Sequence, residues 1–382
     1  MKHTPALFTW DIDCLNASRN ALADPDSPLQ PAYRQLMSRA ESLLHSPLET
    51  VTAKTRLPAS GNPHDYYSIG TYWWPDESRE AGLPWVRRDG QTNPQTQDDS
   101  TDTRRLERLC EGAATLSLAW FFTQDARYAE LLAAQIRYWF LDVDTRMNPH
   151  LNFGQAIPGV VDGRGTGLID TRLLWQVIDA IGLVESAGVL TPHEISEIKQ
   201  WFKTFNHWMY HSDVGHAEYV WHNNHGTWYD VQRVVNALFT GELALAEKVL
   251  RQSVTQRLAA QIARDGKQHM ELERTLPFHY SLFNLEAHLL LCRYAECLDD
   301  DRWQRVQDGR SLQPAIDYLL PFIRHPERWP YDDLRGIEYD SALRVLLQAR
   351  RGYKQDQDKY QQVIDALPVE SIYFVDRLCW HN

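Results

Sequence analysis

The sequence lacks an apolar run long enough to cross a membrane, and its first residues do not form the apolar segment of a secretion signal. It also lacks a surplus of basic charge, because its 382 residues carry a formal net charge of -12 at pH 7. General binding to nucleic acid or to acidic membranes rewards a basic surface, so both are disfavoured. We therefore expect a cytoplasmic protein without these partners, or a periplasmic or secreted one if a signal was trimmed. The sequence leaves its oligomeric state open.

Cysteine is scarce and carries no pattern. The odd number, five, leaves at least one thiol unpaired, and the spacing matches no compact metal-ligand motif. Reduced structural thiols are the default for such a chain, and we expect neither a metal nor another cofactor. The residues concerned are Cys14, Cys110, Cys292, Cys297 and Cys379.

Period-two alternation, which is typical of half-buried strands, is rare, whereas apolar residues recur at the three- and four-residue spacing of amphipathic helices. Thr191 and Glu194 form a capping box around Pro192 at the first helical position. A second strong pattern runs through Trp228 and stops at Gly241. Paired helical patterns lie around residues 106–140, 168–210, 225–264 and 278–323. They predict an all-α domain of helical hairpins.

Two long segments interrupt the helical pattern, at about residues 58–97 and 148–167. Both are rich in polar and aromatic side chains, in a chain that has 14 Trp and 17 Tyr against 12 Phe. Rings with a polar handle can line a groove as well as fill a core. Long loops are usually functional or disordered, and this density of rings argues against disorder. We interpret both segments as candidate walls of a binding cleft.

The segment from Trp221 to Trp228 concentrates amides, imidazoles and indoles just before a strong helical pattern. Asn and His are mediocre helix formers that compete for backbone hydrogen bonds, so stability alone does not explain the cluster. An imidazole beside an amide donor can handle protons and negative charge together. The cluster is therefore a candidate site of proton chemistry.

Four blocks of sequence, in order, carry a resemblance to a known family. They are Asp65-Tyr66-Tyr67-Ser68 with Tyr72-Trp73-Trp74-Pro75-Asp76, Asn152-Phe153-Gly154-Gln155 with Pro158-Gly159 and Gly163-Arg164, Asn223-Asn224-His225 with Trp228, and Glu271-Leu272-Glu273-Arg274 followed by Phe278-His279-Tyr280. Through these blocks the chain resembles the alginate lyase superfamily of polysaccharide lyases over most of its length. The resemblance implies one domain over residues 1–382. Its fold would be an (α/α) toroid, or incomplete (α/α)6 barrel, of antiparallel helical hairpins, with the aromatic-rich loops lining a cleft.

The resemblance also implies an activity and a set of catalytic residues. The activity is β-elimination on a 1,4-linked polyuronate, which leaves an unsaturated uronate with a C4=C5 double bond, and it needs no metal. By resemblance, Asn224, His225, Arg274 and Tyr280 would be catalytic. The partner would be an anionic polysaccharide or its oligosaccharides, with alginate, especially polymannuronate, and glucuronan as the leading substrates. The spacing from Arg274 to Tyr280 is one residue shorter than in the alginate-specific branch, so the uronate stays open.

The chemistry explains why these residue types would occur together. The C5 proton of a uronate becomes acidic only when the neighbouring carboxylate is neutralised, which Asn224 and Arg274 could do with help from His225. A phenolate at Tyr280, favoured by nearby positive charge, could then take the proton. In β-D-mannuronate or β-D-glucuronate the C5 hydrogen and the C4 oxygen lie on one side, so Tyr280 could be both base and acid. In α-L-guluronate they are anti, and His225 would be the natural base.

Further residues of the four blocks and their neighbours are predicted to bind substrate: Tyr66, Tyr67, Tyr72, Trp73, Trp74, Gln155, Arg164, Arg172, His222 and Trp228. Simpler structural roles compete with these assignments. The two adjacent indoles could anchor their loop on the helices. Asn224 could be a helix cap, and Arg274 could pair with Glu271 or Glu273. Tyr280 could equally be a core residue.

Three other functions stay open at this point. A glycoside hydrolase would need two carboxylates across a cleft, which Asp98, Asp99, Asp102, Glu218 and Glu271 could supply. A metal enzyme would use His211, His216, His222 and His225, whose spacing matches no compact ligand motif. A uronate-binding protein without turnover would need the aromatic loops alone.

Overall fold

The structure, a computed structural model, describes residues 6–381. Helices dominate this part of the chain and the strands are short, so the predicted all-α class is confirmed. Within residues 6–381, every helix is too short or too polar to span a membrane.

The elements occur in the following order. The α-helices are α1 (Ile12–Ala21), α2 (Gln30–Leu43), α3 (Thr103–Thr123), α4 (Ala126–Ile136), α5 (Leu174–Val184), α6 (Pro192–His211), α7 (Asp213–Tyr219), α8 (Asn224–Thr240), α9 (Leu243–Ser253), α10 (Ala259–Gln261), α11 (His269–Leu272), α12 (Pro277–Glu296), α13 (Leu312–Arg324), α14 (Tyr339–Gly352), α15 (Gln357–Asp365) and α16 (Asp376–Cys379). The strands are β1 (Tyr67–Ile69), β2 (Trp73–Trp74), β3 (Val86–Arg87) and β4 (Phe153–Ala156). Short 3-10 segments are Val51–Ala53, Pro94–Thr96, Gly165–Leu173, Glu185–Ala187, Pro326–Arg328, Lys354–Asp356 and Val369–Tyr373, and π-helical turns are Arg137–Leu141 and Val254–Leu258.

The described chain divides into two compact units. The first contains Ala40–Trp221 and Asn236–Glu242, and the second contains Leu7–Arg39, His222–Val235 and residues 243–381. The single domain expected over residues 1–382 stays a prediction.

Helical hairpins form the body of the first unit. Helix α3 is followed by Gln124, whose left-handed conformation (φ 59°) ends the helix. Asp125 caps the start of α4 by accepting a hydrogen bond from the Arg127 amide. Helix α5 packs against α3. The π-helical turn that follows α4 buries Trp139 and Phe140. The predicted pairing of helices around residues 106–140 is therefore confirmed.

Helix α6 shows why the local sequence folds as predicted. The Thr191 hydroxyl accepts from the Glu194 amide at 3.2 Å, and the Glu194 carboxylate accepts from the Thr191 amide at 2.7 Å. Pro192 occupies the first helical position, where its missing amide hydrogen costs nothing. The apolar face that begins at Ile198 and includes Phe202 is buried. The capping box and its helix are both confirmed.

The two long segments expected to be loops contain all four strands of the described chain. β1 pairs in parallel with β4, so residues from the two segments lie side by side, with Tyr67 opposite Phe153 and Ile69 opposite Ala156. β2 and β3 form a two-residue antiparallel ladder within the first segment. Strands of two to four residues are too short to show alternation, which is why the sequence pattern indicated loops.

Helix α12 is the central element of the second unit. It begins at Pro277 and is buried on most of its surface, against α11 and α14. The first part of α8 is joined to the π-helical turn at Val254–Leu258 by a buried ion pair, in which Arg257 Nε lies 2.9 Å from Asp230 Oδ2. Burial raises the pKa of Asp230, and Arg257 opposes that shift. Paired and hydrogen-bonded, these charges tie α8 to the segment before α10.

Candidate active site

The asparagine and histidine cluster forms the first turn of α8. The Asn223 side chain accepts a hydrogen bond from the His225 amide at 3.2 Å, which is the contact of a helix cap. The cap role considered for Asn224 is therefore performed by Asn223. Asn224 is buried and His225 is half-buried.

Asn224 is held by a buried carboxylate. Its backbone amide donates to Glu271 Oε1 at 2.7 Å, and its Nδ2 donates to Glu271 Oε2 at 2.7 Å. Both residues are 1% exposed. This two-point contact fixes the orientation of the Asn224 side-chain amide, with one of its two Nδ2 hydrogens directed to Glu271. The second hydrogen is not used by that contact, and Asn224 can offer it to an anionic group.

Glu271 interacts with three of the four predicted catalytic residues. Burial raises the pKa of its carboxyl group, and the two hydrogen bonds from Asn224 oppose that shift, followed by electrostatic interactions with Arg274 and His225. Asn224, His225 and Arg274 thus all act on one carboxylate. Sequence reasoning named Glu271 only as a hydrolase candidate or a partner of Arg274. Its bond to Asn224 joins positions 47 residues apart, and no local pattern signals such a contact.

Arg274 and Tyr280 are in direct contact. The guanidinium carbon of Arg274 lies 3.9 Å from the centroid of the Tyr280 ring, close enough for a cation–π interaction. The short connection from α11 to Pro277 brings them together, because it places Tyr280 in the first turn of α12. Tyr280 is 7% exposed and Arg274 is half-buried. A guanidinium in this position can favour the phenolate form of a tyrosine.

A row of rings continues from Tyr280. His279 meets it edge-on at 5.0 Å between centroids and stacks on Phe283 at 5.7 Å, and Phe283 lies 5.0 Å from Trp228. The His279 Nδ1 atom is 2.8 Å from a carboxylate oxygen of Glu338, and this contact lowers the pKa of Glu338 to about 2. Trp228 is only 1% exposed. Its position favours core packing over the sugar contact that was predicted for it.

Within the first unit, three of the predicted binding residues join one hydrogen-bond network around Asp170. The Tyr66 hydroxyl (3.1 Å), the Ser68 hydroxyl (2.6 Å) and the Gln155 side-chain amide (2.8 Å) all donate to its carboxylate. Arg164 donates in turn to the Gln155 carbonyl at 2.9 Å and to its Oε1 at 3.0 Å. Tyr66 is fully buried, so it orients this network rather than presenting a ring to solvent.

The two adjacent indoles anchor their loop. Trp73 packs on the buried cluster of Ile69, Trp85 and Ile157. The Arg164 guanidinium lies 5.8 Å from the Trp73 ring centroid. A Cβ atom at Gly70 would lie 2.6 Å from Trp73 and 2.7 Å from Arg164, so this close approach requires glycine.

The indole nitrogen of Trp74 donates to the Gln91 carbonyl at 3.0 Å, and the Arg88 guanidinium lies 5.1 Å from its ring. These contacts support the anchoring role that was set against sugar binding for both indoles.

The other predicted binding residues have varied positions. Tyr67 and Tyr72 are half-buried, and the Tyr67 backbone amide donates to Asp102 at 2.9 Å. Arg172 is half-buried, and its guanidinium donates to the Ile169 carbonyl at 3.2 Å. His222 is exposed. Their roles in substrate binding stay predictions.

Three of the carboxylates considered for a hydrolase form ion pairs or hydrogen bonds with neighbouring residues. Asp102 is buried and lies 2.9 Å from Lys54 Nζ. Burial raises the pKa of Asp102 to about 6, although Lys54 opposes the shift. Asp98 accepts from the Ser100 amide at 2.9 Å, and Asp99 pairs with Arg108 at 2.7 Å. Among residues 6–381, no three His, Cys, Asp or Glu side chains are grouped to hold a metal ion.

Comparison with known proteins decides the family. The model of the alginate lyase family matches residues 50–329, which is more than half of the chain. The chain belongs to the alginate lyase family. The crystal structure of an alginate lyase from Bacteroides ovatus is similar to it over 98% of this chain and 99% of that one, with 36% identity and a TM-score of 0.92. Among curated protein sequences, none matches this chain.

More distant alginate lyases share the fold of this family member. A variant of alginate lyase A1-III complexed with a tetrasaccharide is 14% identical, with a TM-score of 0.61, over 100% of this chain and 99% of that one. Alginate lyase A1-III from Sphingomonas species A1 is 13% identical, with a TM-score of 0.55, over 91% of this chain and 94% of that one. The helical fold that these lyases share with the chain is consistent with the (α/α) toroid that the sequence resemblance implies. This member of the alginate lyase family is a polysaccharide lyase.

Glu271→Gln tests whether the buried carboxylate orients Asn224 in this lyase. A glutamine can still accept from the Asn224 backbone amide, but its own NH2 group then faces the Asn224 NH2 group. Asn224 must rotate its amide or lose a hydrogen bond. We expect kcat/KM, measured by formation of the product double bond, to fall by about 10- to 100-fold, the usual effect of disturbing the support of a reactive group.

Glu296→Gln is the matched control. Glu296 is a hydrogen-bonded carboxylate at the far end of α12, where it accepts from Arg351 at 2.9 Å. Its replacement should leave kcat/KM per folded molecule unchanged. Equal activity of the Glu271→Gln variant and the parent chain would contradict the orienting role.

Proposed function

We propose that this polysaccharide lyase cleaves alginate, foremost its mannuronate-rich form, or another 1,4-linked polyuronate such as glucuronan, by β-elimination. Oligosaccharides of these polymers are substrates as well. Family membership supports the proposal, as do the names of the similar structures, which are alginate lyases. One of them, a variant of alginate lyase A1-III, is complexed with a tetrasaccharide.

The observation that carries the proposal is the stack of Arg274 on Tyr280, with 3.9 Å from guanidinium to ring centroid. Elimination needs a base at the C5 proton and positive charge near the C6 carboxylate. This contact places a phenol and a guanidinium side by side. A nearby cation stabilises a phenolate in general, and the Arg274 guanidinium can also pair with the uronate carboxylate.

Asn224 provides the second neutralising group. Glu271 takes one of its Nδ2 hydrogens, and the other can donate to the uronate carboxylate. As the C5 proton leaves, charge accumulates on the carboxylate oxygens of the enediolate. Preorganised donors at such an oxyanion are each worth about 3 to 4 kcal/mol. Asn224 and Arg274 therefore stabilise the intermediate more than the bound substrate.

The bonds change in a simple order. Tyr280 removes the C5 proton through its phenolate oxygen, and the C5–H electron pair becomes the C4=C5 double bond as the C4–O bond breaks. The leaving oxygen takes a proton, so no water is consumed. With mannuronate or glucuronate, Tyr280 returns the proton itself, because both atoms lie on one side of the sugar. With guluronate, His225 removes the proton and Tyr280 protonates the leaving oxygen.

An absorbance screen tests the proposal. Purified protein is mixed with polymannuronate, polyguluronate, glucuronan and a neutral glucan, and the ultraviolet absorbance of the new double bond is followed. We expect a rise with at least one uronate polymer, largest with polymannuronate, and none with the glucan. Flat traces with every uronate polymer, from a protein shown to be folded, would contradict the proposal.

Arg274→Ala separates charge neutralisation from proton transfer. The variant keeps the Tyr280 hydroxyl and Asn224 but loses the guanidinium, so we expect kcat to fall by about 100-fold, the lower end of the range for one oxyanion donor. Arg274→Lys should recover part of that loss, because it retains a cation without the planar group. Steady-state rates at saturating substrate measure both. A rate for Arg274→Ala equal to that of the parent chain would exclude Arg274 from the reaction.

A further inference from the structure

One buried side chain, Gln261, connects the two helices that carry three of the candidate catalytic residues, Asn224, His225 and Tyr280. Gln261 ends α10 and is 5% exposed. Its Oε1 accepts from the Thr227 hydroxyl at 2.8 Å and from the Asn284 side-chain amide at 2.9 Å, and the His288 Nε2 atom lies 3.2 Å away. Its Nε2 donates to the Asn223 carbonyl at 3.0 Å. A single carboxamide thus makes four polar contacts.

The protonation of His288 is consistent with this arrangement. Burial lowers its pKa to about 3, so the ring is neutral near neutral pH. An amide oxygen can only accept, and Nε2 must therefore be the nitrogen that carries the hydrogen. Gln261 Oε1 then receives three hydrogens while its Nε2 donates one. The complete set of contacts therefore needs both the Oε1 acceptor and the Nε2 donor of Gln261.

The four partners belong to the catalytic elements. Asn223 immediately precedes Asn224 and caps the turn that contains His225, as described above. Thr227 lies in the same first turn of α8. Asn284 follows Tyr280 by one helical turn on α12, and His288 follows by two. Gln261 therefore ties the turn with the amide and imidazole to the helix with the phenol.

We infer that Gln261 is a positioning residue, which holds the Asn224–His225 turn at its working distance from Tyr280. The inference rests on the proposed function, because it concerns the elimination performed by these groups. Proton transfer depends steeply on geometry, and a misplacement of about 1 Å can cost about 100-fold in rate. Neither Asn, which is shorter, nor Glu, which lacks the amide donor, can reproduce both ends of the Gln261 contact.

Gln261→Glu is the sharpest test, because it only replaces the NH2 group of the side-chain amide with an oxygen atom. The new carboxylate still accepts from Thr227 and Asn284 but directs a second acceptor at the Asn223 carbonyl. Near neutral pH we expect kcat to fall by about 10- to 100-fold with little change in KM, since the binding groups remain. As the pH is lowered, the protonated carboxyl can donate to Asn223. The deficit relative to the parent chain at the same pH should then shrink.

Gln135→Glu is the matched control. Gln135 belongs to the first unit, is buried, and likewise donates its Nε2 to a carbonyl, that of Glu49, at 2.7 Å. Its replacement removes the same kind of hydrogen bond and should lower thermal stability. It should change neither kcat per folded molecule nor the pH dependence of kcat. A purely structural cost would affect both variants alike.

Hydrogen–deuterium exchange gives a readout that needs no substrate. In Gln261→Glu the peptide covering residues 221–228 should exchange faster than in the parent chain at neutral pH, and in Gln135→Glu it should not. Gln261→Met, which removes the hydrogen bonds without adding a charge, should show the same local increase and no recovery of kcat at lower pH. It also serves if the glutamate variant fails to fold.

The outcomes separate the inference from the proposed function. A parent chain that forms no double bond contradicts the proposed function, while the exchange data still show whether Gln261 holds the turn. Parental kcat in both Gln261 variants, or exchange that rises equally throughout the chain, would overturn the positioning role.

Discussion

Tyr280→Phe should reduce the rate of double-bond formation by about 100-fold or more, the usual contribution of a positioned proton carrier. The change removes only the phenolic oxygen and keeps the ring on which Arg274 stacks. Substrate binding by Asn224 and Arg274 should persist. We therefore expect kcat to fall with little change in KM, which steady-state absorbance kinetics on polymannuronate will measure.

Tyr294→Phe is the control for this change. Tyr294 lies on the same helix, about 21 Å farther along, and its hydroxyl makes a buried hydrogen bond to Thr9 at 3.1 Å. Losing that hydroxyl should lower stability without lowering kcat. If Tyr280→Phe retained the parent rate, Tyr280 could be neither the base nor the acid.

His225→Ala should also reduce the rate by about 100-fold, and the size of the loss should depend on the sugar. On guluronate His225 is the expected base, so its removal eliminates the proton acceptor. On mannuronate it assists charge neutralisation while Tyr280 handles the proton, and the loss should be smaller. The ratio of rates on polymannuronate and polyguluronate, before and after the change, measures this difference.

His325→Ala removes an exposed histidine of the same unit and should leave both rates unchanged. A His225→Ala variant with parental rates on both polymers would show that the imidazole takes no part. An equal loss on both polymers would contradict the assignment of different bases to the two sugars.

Local signals predicted the helices well. The Thr191 capping box predicted the start of α6, and the amphipathic pattern that stops at Gly241 predicted α8. Both signals depend on residues that are close together in the sequence. The pairing of β1 with β4 was not predictable in this way. It joins two short segments more than 80 residues apart, and neither is long enough to alternate.

In the candidate site, too, the local sequence showed some features and long-range contacts determined the others. The residue types suited to elimination at Asn224, His225, Arg274 and Tyr280 were visible in the sequence, and the family resemblance assigned their roles. Their support was not visible, since Glu271 contacts Asn224 across 47 positions. The sequence also did not show which of the predicted binding residues are buried and which are accessible to a substrate.

Among the predicted binding aromatics, Trp228 is packed at 1% exposure, and Tyr72 is half-buried. Long-range contacts and burial depend on how the elements pack, which local patterns do not encode.

The central claim is that these residues perform an elimination, and the fate of water tests it most directly. Polymannuronate should be digested in water enriched in the heavy oxygen isotope, with absorbance and product masses recorded together. For elimination, we expect one unsaturated end for each bond cleaved and no heavy oxygen in products that are analysed before their new reducing ends exchange the anomeric oxygen with water. Products that carry one heavy oxygen for each cleavage and show no rise in absorbance would contradict it.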